Sequence, residues 1–105
     1  MDDKEKERAI HTLQMLEHNL QQILLQKQAF QMELRETQAA MKELEKSGEE
    51  IFKIIGQLMI KTDKKTTVSE LANKEKLIDL RIRNFEKQEK TISEKIGAVQ
   101  KEISQ

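Results

Sequence analysis

Apolar residues recur at alternating spacings of three and four through both halves of this 105-residue chain, and the two stripes mirror each other about Gly56. In the first half the stripe is Ala9, Leu13, Leu16, Leu20, Ile23, Lys27, Phe30, Leu34, Thr37, Met41 and Leu44. In the second it is Val68, Leu71, Glu75, Ile78, Ile82, Phe85, Glu89, Ile92, Ile96, Val99 and Ile103. Each has eleven positions, nine of them apolar, so polar residues are exceptions in an otherwise greasy seam. Pairing Leu44 with Val68, Met41 with Leu71, and so on to Ala9 with Ile103 always gives residue numbers that add to 112, with no slot skipped. With Leu13 as an a position, every pair joins an a to a d, the layer type of antiparallel two-helix packing. The pattern predicts an all-α-dominated fold, a long antiparallel coiled coil whose two helices are joined at one short break.

The first helix is expected over about residues 3–46, a length of roughly 65 Å at ~1.5 Å per residue. Asp2, Asp3, Glu5 and Glu7 suit its N-terminal dipole, and Gly48 is available for a left-handed C-terminal cap. The second helix is expected over about residues 67–104, because Thr67-Val68-Ser69-Glu70 has the spacing of a capping box. The chain has no proline to interrupt either helix. Gly97, inside the second, costs up to ~1 kcal/mol relative to alanine.

Between them, residues 50–62 form a short segment rich in β-branched side chains and bounded by Gly48 and Asp63, which predicts a β-hairpin. Gly56-Gln57 would be a two-residue turn with glycine first, as type II′ prefers. A helix running straight through would bring Thr62, Lys65 and Ser69 into the seam and miss Val68 and Leu71 by one residue. Pairing across the turn sets Ile51, Lys53, Ile55, Leu58, Ile60 and Thr62 on one face and Phe52, Ile54, Met59 and Lys61 on the other. Both faces are then largely apolar, on a ribbon that is marginal in water and has two open edges. Burying one such side chain is worth roughly 1.5–3 kcal/mol, so seven of them exposed together favour association. A sheet or barrel completed by other chains is the expected outcome.

Charged residues make up 36% of the chain and aromatic ones 3%, a profile of long helices rather than of an average domain. Two helices side by side enclose no interior pocket, which argues against an enzyme, and no catalytic constellation is present. Nineteen basic and nineteen acidic residues are mixed along the length, without the one-sided basic stripe of a nucleic-acid binder. No apolar run is long enough for a membrane span, and the start, Met1-Asp2-Asp3-Lys4-Glu5, is unlike a signal or transit peptide. The absence of cysteine excludes disulfides and thiolate metal sites and suits a reducing cytoplasm. His11 and His18 are outward-facing f positions about two turns, roughly 10 Å, apart, too far to share one metal ion. Neither a metal nor any other cofactor is expected, and the whole chain reads as one soluble cytoplasmic unit.

The central run Phe52-Lys53-Ile54-Ile55-Gly56-Gln57-Leu58-Met59-Ile60-Lys61 resembles the hairpin of prefoldin, specifically of its β-type subunit, in an archaeal-like form. Leu71, Lys74, Arg81-Ile82 and Phe85-Glu86-Lys87-Gln88-Glu89 resemble the family's second helix. Phe52 stands where tyrosine is common in the family and Gln57 where proline is frequent. The resemblance implies a hexamer of two α-type and four β-type subunits, with the hairpins joined into a β-barrel platform and the coiled coils hanging from it. An α-type subunit brings two hairpins, and this chain has room for one. It further implies an ATP-independent holdase that grips unfolded polypeptides at its tips and passes them to a group II chaperonin of the cytosol.

On that reading the oligomerisation hairpin is Ile51, Phe52, Ile54, Ile55, Gly56, Leu58, Met59 and Ile60. Client-binding candidates lie at the open end: Ile10, Leu13, Met15, Leu16, Ile96, Val99 and Ile103, with Leu24 and Leu25 as weaker ones. Leu13, Leu16, Ile96, Val99 and Ile103 are equally accounted for as coiled-coil layers, and isolated surface apolars such as Ile10 and Met15 are ordinary. Lys27, Thr37, Glu75 and Glu89 are read as register-setting polar positions, with Lys27 and Glu89 close enough to pair across the helices. The rival functional reading is a non-chaperone coiled-coil adaptor that holds one folded partner along its shaft.

Overall fold

The computed structural model describes all residues from Met1 to Gln105. Helix α1 spans Asp3–Lys46, strand β1 Glu50–Ile55, strand β2 Leu58–Asp63 and helix α2 Lys64–Ser104. Two units make up the chain: Met1–Ala29 with Ile82–Gln105, and Phe30–Arg81. The first pairs the beginning of α1 with the end of α2. The second holds the remainder of both helices and the hairpin.

Burial follows the heptad stripes closely. All eleven stripe positions on α1 are buried or half-buried, and so are all those on α2 except Val68. The buried residues are few: Thr37, Ile51, Ile78 and Ile82. In the second unit, Thr37 turns its hydroxyl back to the Glu33 carbonyl at 2.8 Å, which satisfies the one polar group that the seam hides. In the same unit Lys74 reaches Glu33 at 3.4 Å, and the Arg81 guanidinium lies 5.3 Å from the centre of the Phe30 ring.

The hairpin has the expected register, with Ile55 opposite Leu58, Lys53 opposite Ile60 and Ile51 opposite Thr62. Gly56 has φ +61°, while Gln57 does not enter the positive-φ region. A positive φ at the first turn residue alone is the type II′ pattern, since type I′ would need it at both. No atom stands within 4 Å of where a Cβ on Gly56 would lie, so backbone conformation and not space is what selects glycine.

Four details of the expected boundaries change. Helix α2 begins at Lys64, not Thr67, because Asp63 is the cap: its Oδ2 accepts from the Thr66 amide at 2.9 Å and from the Thr66 hydroxyl at 2.7 Å. Thr67 is already helical and donates to the Asp63 carbonyl, and Glu70 pairs with Lys53 at 3.6 Å instead of closing a capping box. Gly48 is not left-handed. The end of α1 is closed by the Ser47 amide and hydroxyl, both donating to Leu44, and by the Lys64 ammonium, which donates to the Ser47 carbonyl at 2.7 Å. Finally, Val68 is 38% exposed, since it is Lys64 and Thr67 that turn inward at this end of α2.

The Asp63 carboxylate is held below its ordinary range by its two bonds from Thr66. A depressed carboxylate contributes stability above its unfolded pKa and loses it as pH falls through the folded one. Asp63→Ala should therefore lower the melting temperature by a few degrees at pH 7 and by much less once acid has protonated the native carboxyl, as circular dichroism melts across pH 7 to 2 would show. Gly56→Ala should cost about 1–2 kcal/mol, whereas D-alanine at the same position should not, a comparison open to chemical synthesis and denaturant titration.

Candidate functional site

No enclosed cleft is needed to describe what this chain offers to partners; its candidate surfaces are the hairpin in one unit and the chain ends in the other. Strand alternation places side chains on both faces of the ribbon, and the structure leaves most of them in water. Phe52, Ile54, Ile55, Leu58, Met59 and Ile60 are exposed, with Ile54 at 70% and Met59 at 68%. Ile51 departs from the expected seven: it is 8% exposed, because it lies at the foot of the hairpin where the ends of both helices cover it. Phe52, Ile54 and Met59 share a groove of about 560 Å³ with Ala40, Leu44 and Leu71. The sheet has only two strands, so the outer edges of both β1 and β2 carry unpaired backbone groups. Lys61 pairs with Glu50 across the ribbon at 3.7 Å, an exposed contact of small energetic weight.

At the other unit, Leu13, Leu16, Ile96, Val99 and Ile103 are half-buried in the seam, whereas Ile10 and Met15 stand off it and are exposed. Leu24 is half-buried and Leu25 exposed. The candidate set is thus divided between residues that pack and residues already free. Sequence reading passed over Leu77 and Leu80, both exposed on α2 of the second unit. Their signal was available: adjacent apolar residues at outer c and f heptad positions, where polar ones are the rule.

The polar seam pair forms as expected. Lys27 Nζ donates to Glu89 Oε2 at 2.8 Å, with both side chains mostly out of solvent. That hydrogen bond raises the Lys27 pKa above its ordinary 10.5, against a smaller opposing effect of burial. His11 and His18 are both exposed on α1.

The sequence matches the family described as prefoldin subunit over residues 7–105. The chain belongs to the prefoldin family, as a beta-type subunit. It is 34% identical over 95 residues to the prefoldin subunit beta of Sulfurisphaera tokodaii, covering 89% of this chain and 76% of that one. The same subunit of Thermococcus onnurineus is 38% identical over 93 residues, covering 87% and 80%. The crystal structure of the prefoldin beta subunit from Thermococcus strain KS-1 superposes with a TM-score of 0.87 at 31% identity, over 94% of this chain and 89% of that one. Prefoldin is a family of chaperones, and its subunits assemble with one another. No helix here is long and apolar enough to cross a membrane.

A paired charge in an apolar seam fixes register at a cost in stability relative to a well-packed apolar layer. The double replacement Lys27→Leu with Glu89→Leu should raise the melting temperature by several degrees, while Lys27→Leu alone should lower it by leaving Glu89 unpaired in the seam. A fall in the double variant, measured by circular dichroism, would refute the register role.

Proposed function

We propose that this chain is the β subunit of an α2β4 prefoldin hexamer that holds unfolded polypeptides without ATP and hands them to a group II chaperonin in the cytosol. The observation that carries this reading is the hairpin. Six large apolar side chains stand exposed on a ribbon with two open edges, and at roughly 1.5–3 kcal/mol for each one buried, association with like hairpins is strongly favoured. Assembly through Phe52, Ile54, Ile55, Leu58, Met59 and Ile60 would add strands at the open edges and fill the groove beside Leu44 and Leu71. Ile51 supports that platform from inside its own chain.

The unit that holds the chain ends then serves the client. Exposed Ile10 and Met15 are free for that purpose without any rearrangement. Leu13, Leu16, Ile96, Val99 and Ile103 join them where the terminal turns fray, since none of these seam residues is fully buried. The thioether of Met15 adapts to varied side chains. Capture at such a surface is weak and unselective, which is what release to a chaperonin requires.

Light scattering from a chemically unfolded client, diluted into ATP-free buffer, tests the reading with this chain and its α-type partner subunit present. Suppression of aggregation at near-stoichiometric complex is expected, and it should be lost when residues before Leu16 and after Ile92 are removed. An assembled hexamer that leaves aggregation unchanged across several clients would replace the holdase by an adaptor for a folded partner. Ile54→Lys with Met59→Lys should separately abolish the hexamer in analytical ultracentrifugation while leaving the helical signal in place.

A further inference from the structure

Charges that are mixed in sequence order are sorted by helical phase on α2. Its outer b, c and f positions from Asn73 to Thr91 hold Lys76, Arg83, Lys87 and Lys90 but no carboxylate, and every one of these positions is exposed. The acids of the same stretch stand elsewhere. Glu75 and Glu89 are seam positions, Glu89 bonded to Lys27, while Asp79 and Glu86 lie at e positions beside the seam. Within the second unit this face also carries Leu77 at 63% exposure and Leu80 at 55%, three residues apart and so neighbours on the helix surface. Lys76 lies one turn from Leu80 on one flank and enters no ion pair. Arg81 lies one turn from Leu77 on the other flank, where its guanidinium rests over the Phe30 ring. Lys74 is on that flank too, reaching Glu33 at 3.4 Å. The outer positions of α1 in the same unit are of the usual kind, with Arg35 beside Glu36 and Lys42 beside Glu43.

We propose that the α2 face around Leu77 and Leu80 docks a short amphipathic helix of a partner protein, one with carboxylates on both flanks of its apolar stripe. Two leucines one turn apart match apolar residues at three- and four-residue spacing on such a helix. Carboxylates beside that stripe meet Lys76 on one side and Arg81 on the other, and Lys87 and Lys90 farther along α2 add to the attraction. A second copy of the chain is a poorer occupant, since laying this face on itself brings cations against cations. Nucleic acid is a poorer one as well, because a phosphate backbone has no use for the leucines and the face has no aromatic side chain on which a base could stack. The area is small, which suits a weak and reversible contact. None of the client-binding candidates takes part, so the site stands independently of client capture.

The experiment uses the assembled complex and a fluorescein-labelled peptide that repeats Leu-Glu-Glu-Leu-Ala-Gln-Glu, followed by anisotropy. The peptide should bind at least about fivefold more tightly than the same repeat with lysine for every glutamate or with serine for every leucine. Leu77→Ser with Leu80→Ser, and separately Lys76→Glu, should each weaken it at least about threefold, whereas Leu25→Ser on α1 should change it by less than about 1.5-fold. No binding of the acidic peptide, or equal binding of the lysine repeat, would overturn the proposal. Removal of residues before Leu16 and after Ile92 should leave the affinity unchanged; its loss would make the peptide an ordinary client and overturn the proposal while supporting client capture. Tighter binding of a single-stranded oligouridine, unmoved by the serine changes, would assign the cations to nucleic acid instead. A photoreactive residue at exposed Asn73 keeps the idea testable if the other variants do not assemble. It should join to the acidic peptide, and a product joining two subunits with no peptide present would show that the assembly itself covers the face, which overturns the proposal.

Discussion

Two helices share a single interface and have no interior, and every other property of this chain is conditioned by that. Each helix can hide one stripe, so whatever does not lie on the stripe faces water. Only four residues are buried, and three of them, Thr37, Ile78 and Ile82, are stripe positions. The pairing therefore has little excess from which to absorb a misplaced register. A seam of interchangeable Leu and Ile slides by a heptad at small cost, and the polar positions are what make one alignment better than its neighbours. Lys27 meets Glu89 in one register alone, and Thr37 satisfies itself through Glu33 so that its layer survives without a partner.

The same constraint explains why the hairpin is exposed. Six-residue strands flanked by two helix ends have nothing of their own chain broad enough to cover them, and only Ile51, at the foot, is reached. An uncovered two-stranded ribbon is marginal in water by itself, which favours its joining strands from other subunits. It is also where the backbone is least negotiable, since the type II′ turn needs a left-handed first residue and glycine stands there.

Most of this was legible in the sequence because it depends on periodicity. The heptad stripe, the break near Gly48, the hairpin register and the Lys27 to Glu89 pair all follow from counting threes, fours and twos. The helix ends were less so. Asp63 and Thr67 are both acceptable caps, and which one wins depends on how the last strand delivers the chain into the helix. Gly48 looked like the stop for α1, but Lys64 closes that end from seventeen residues away, a contact that no local pattern announces. Val68 keeps its heptad phase and loses its burial, because Lys64 and Thr67 take the inward places at this end of α2. The candidate client residues are marked by their position near the chain ends, while Leu77 and Leu80 lie on outer positions that the seam's periodicity does not single out.

The small number of buried side chains also sets how the chain responds to temperature. Heat capacity rises on unfolding chiefly because apolar surface becomes hydrated, and an isolated two-helix pair has little such surface to release. Its free-energy curve is consequently shallow, with a broad maximum and gentle flanks. Such a subunit draws its resistance to heat from the area it covers on joining its neighbours, so thermal endurance here belongs to the assembly and varies with subunit concentration.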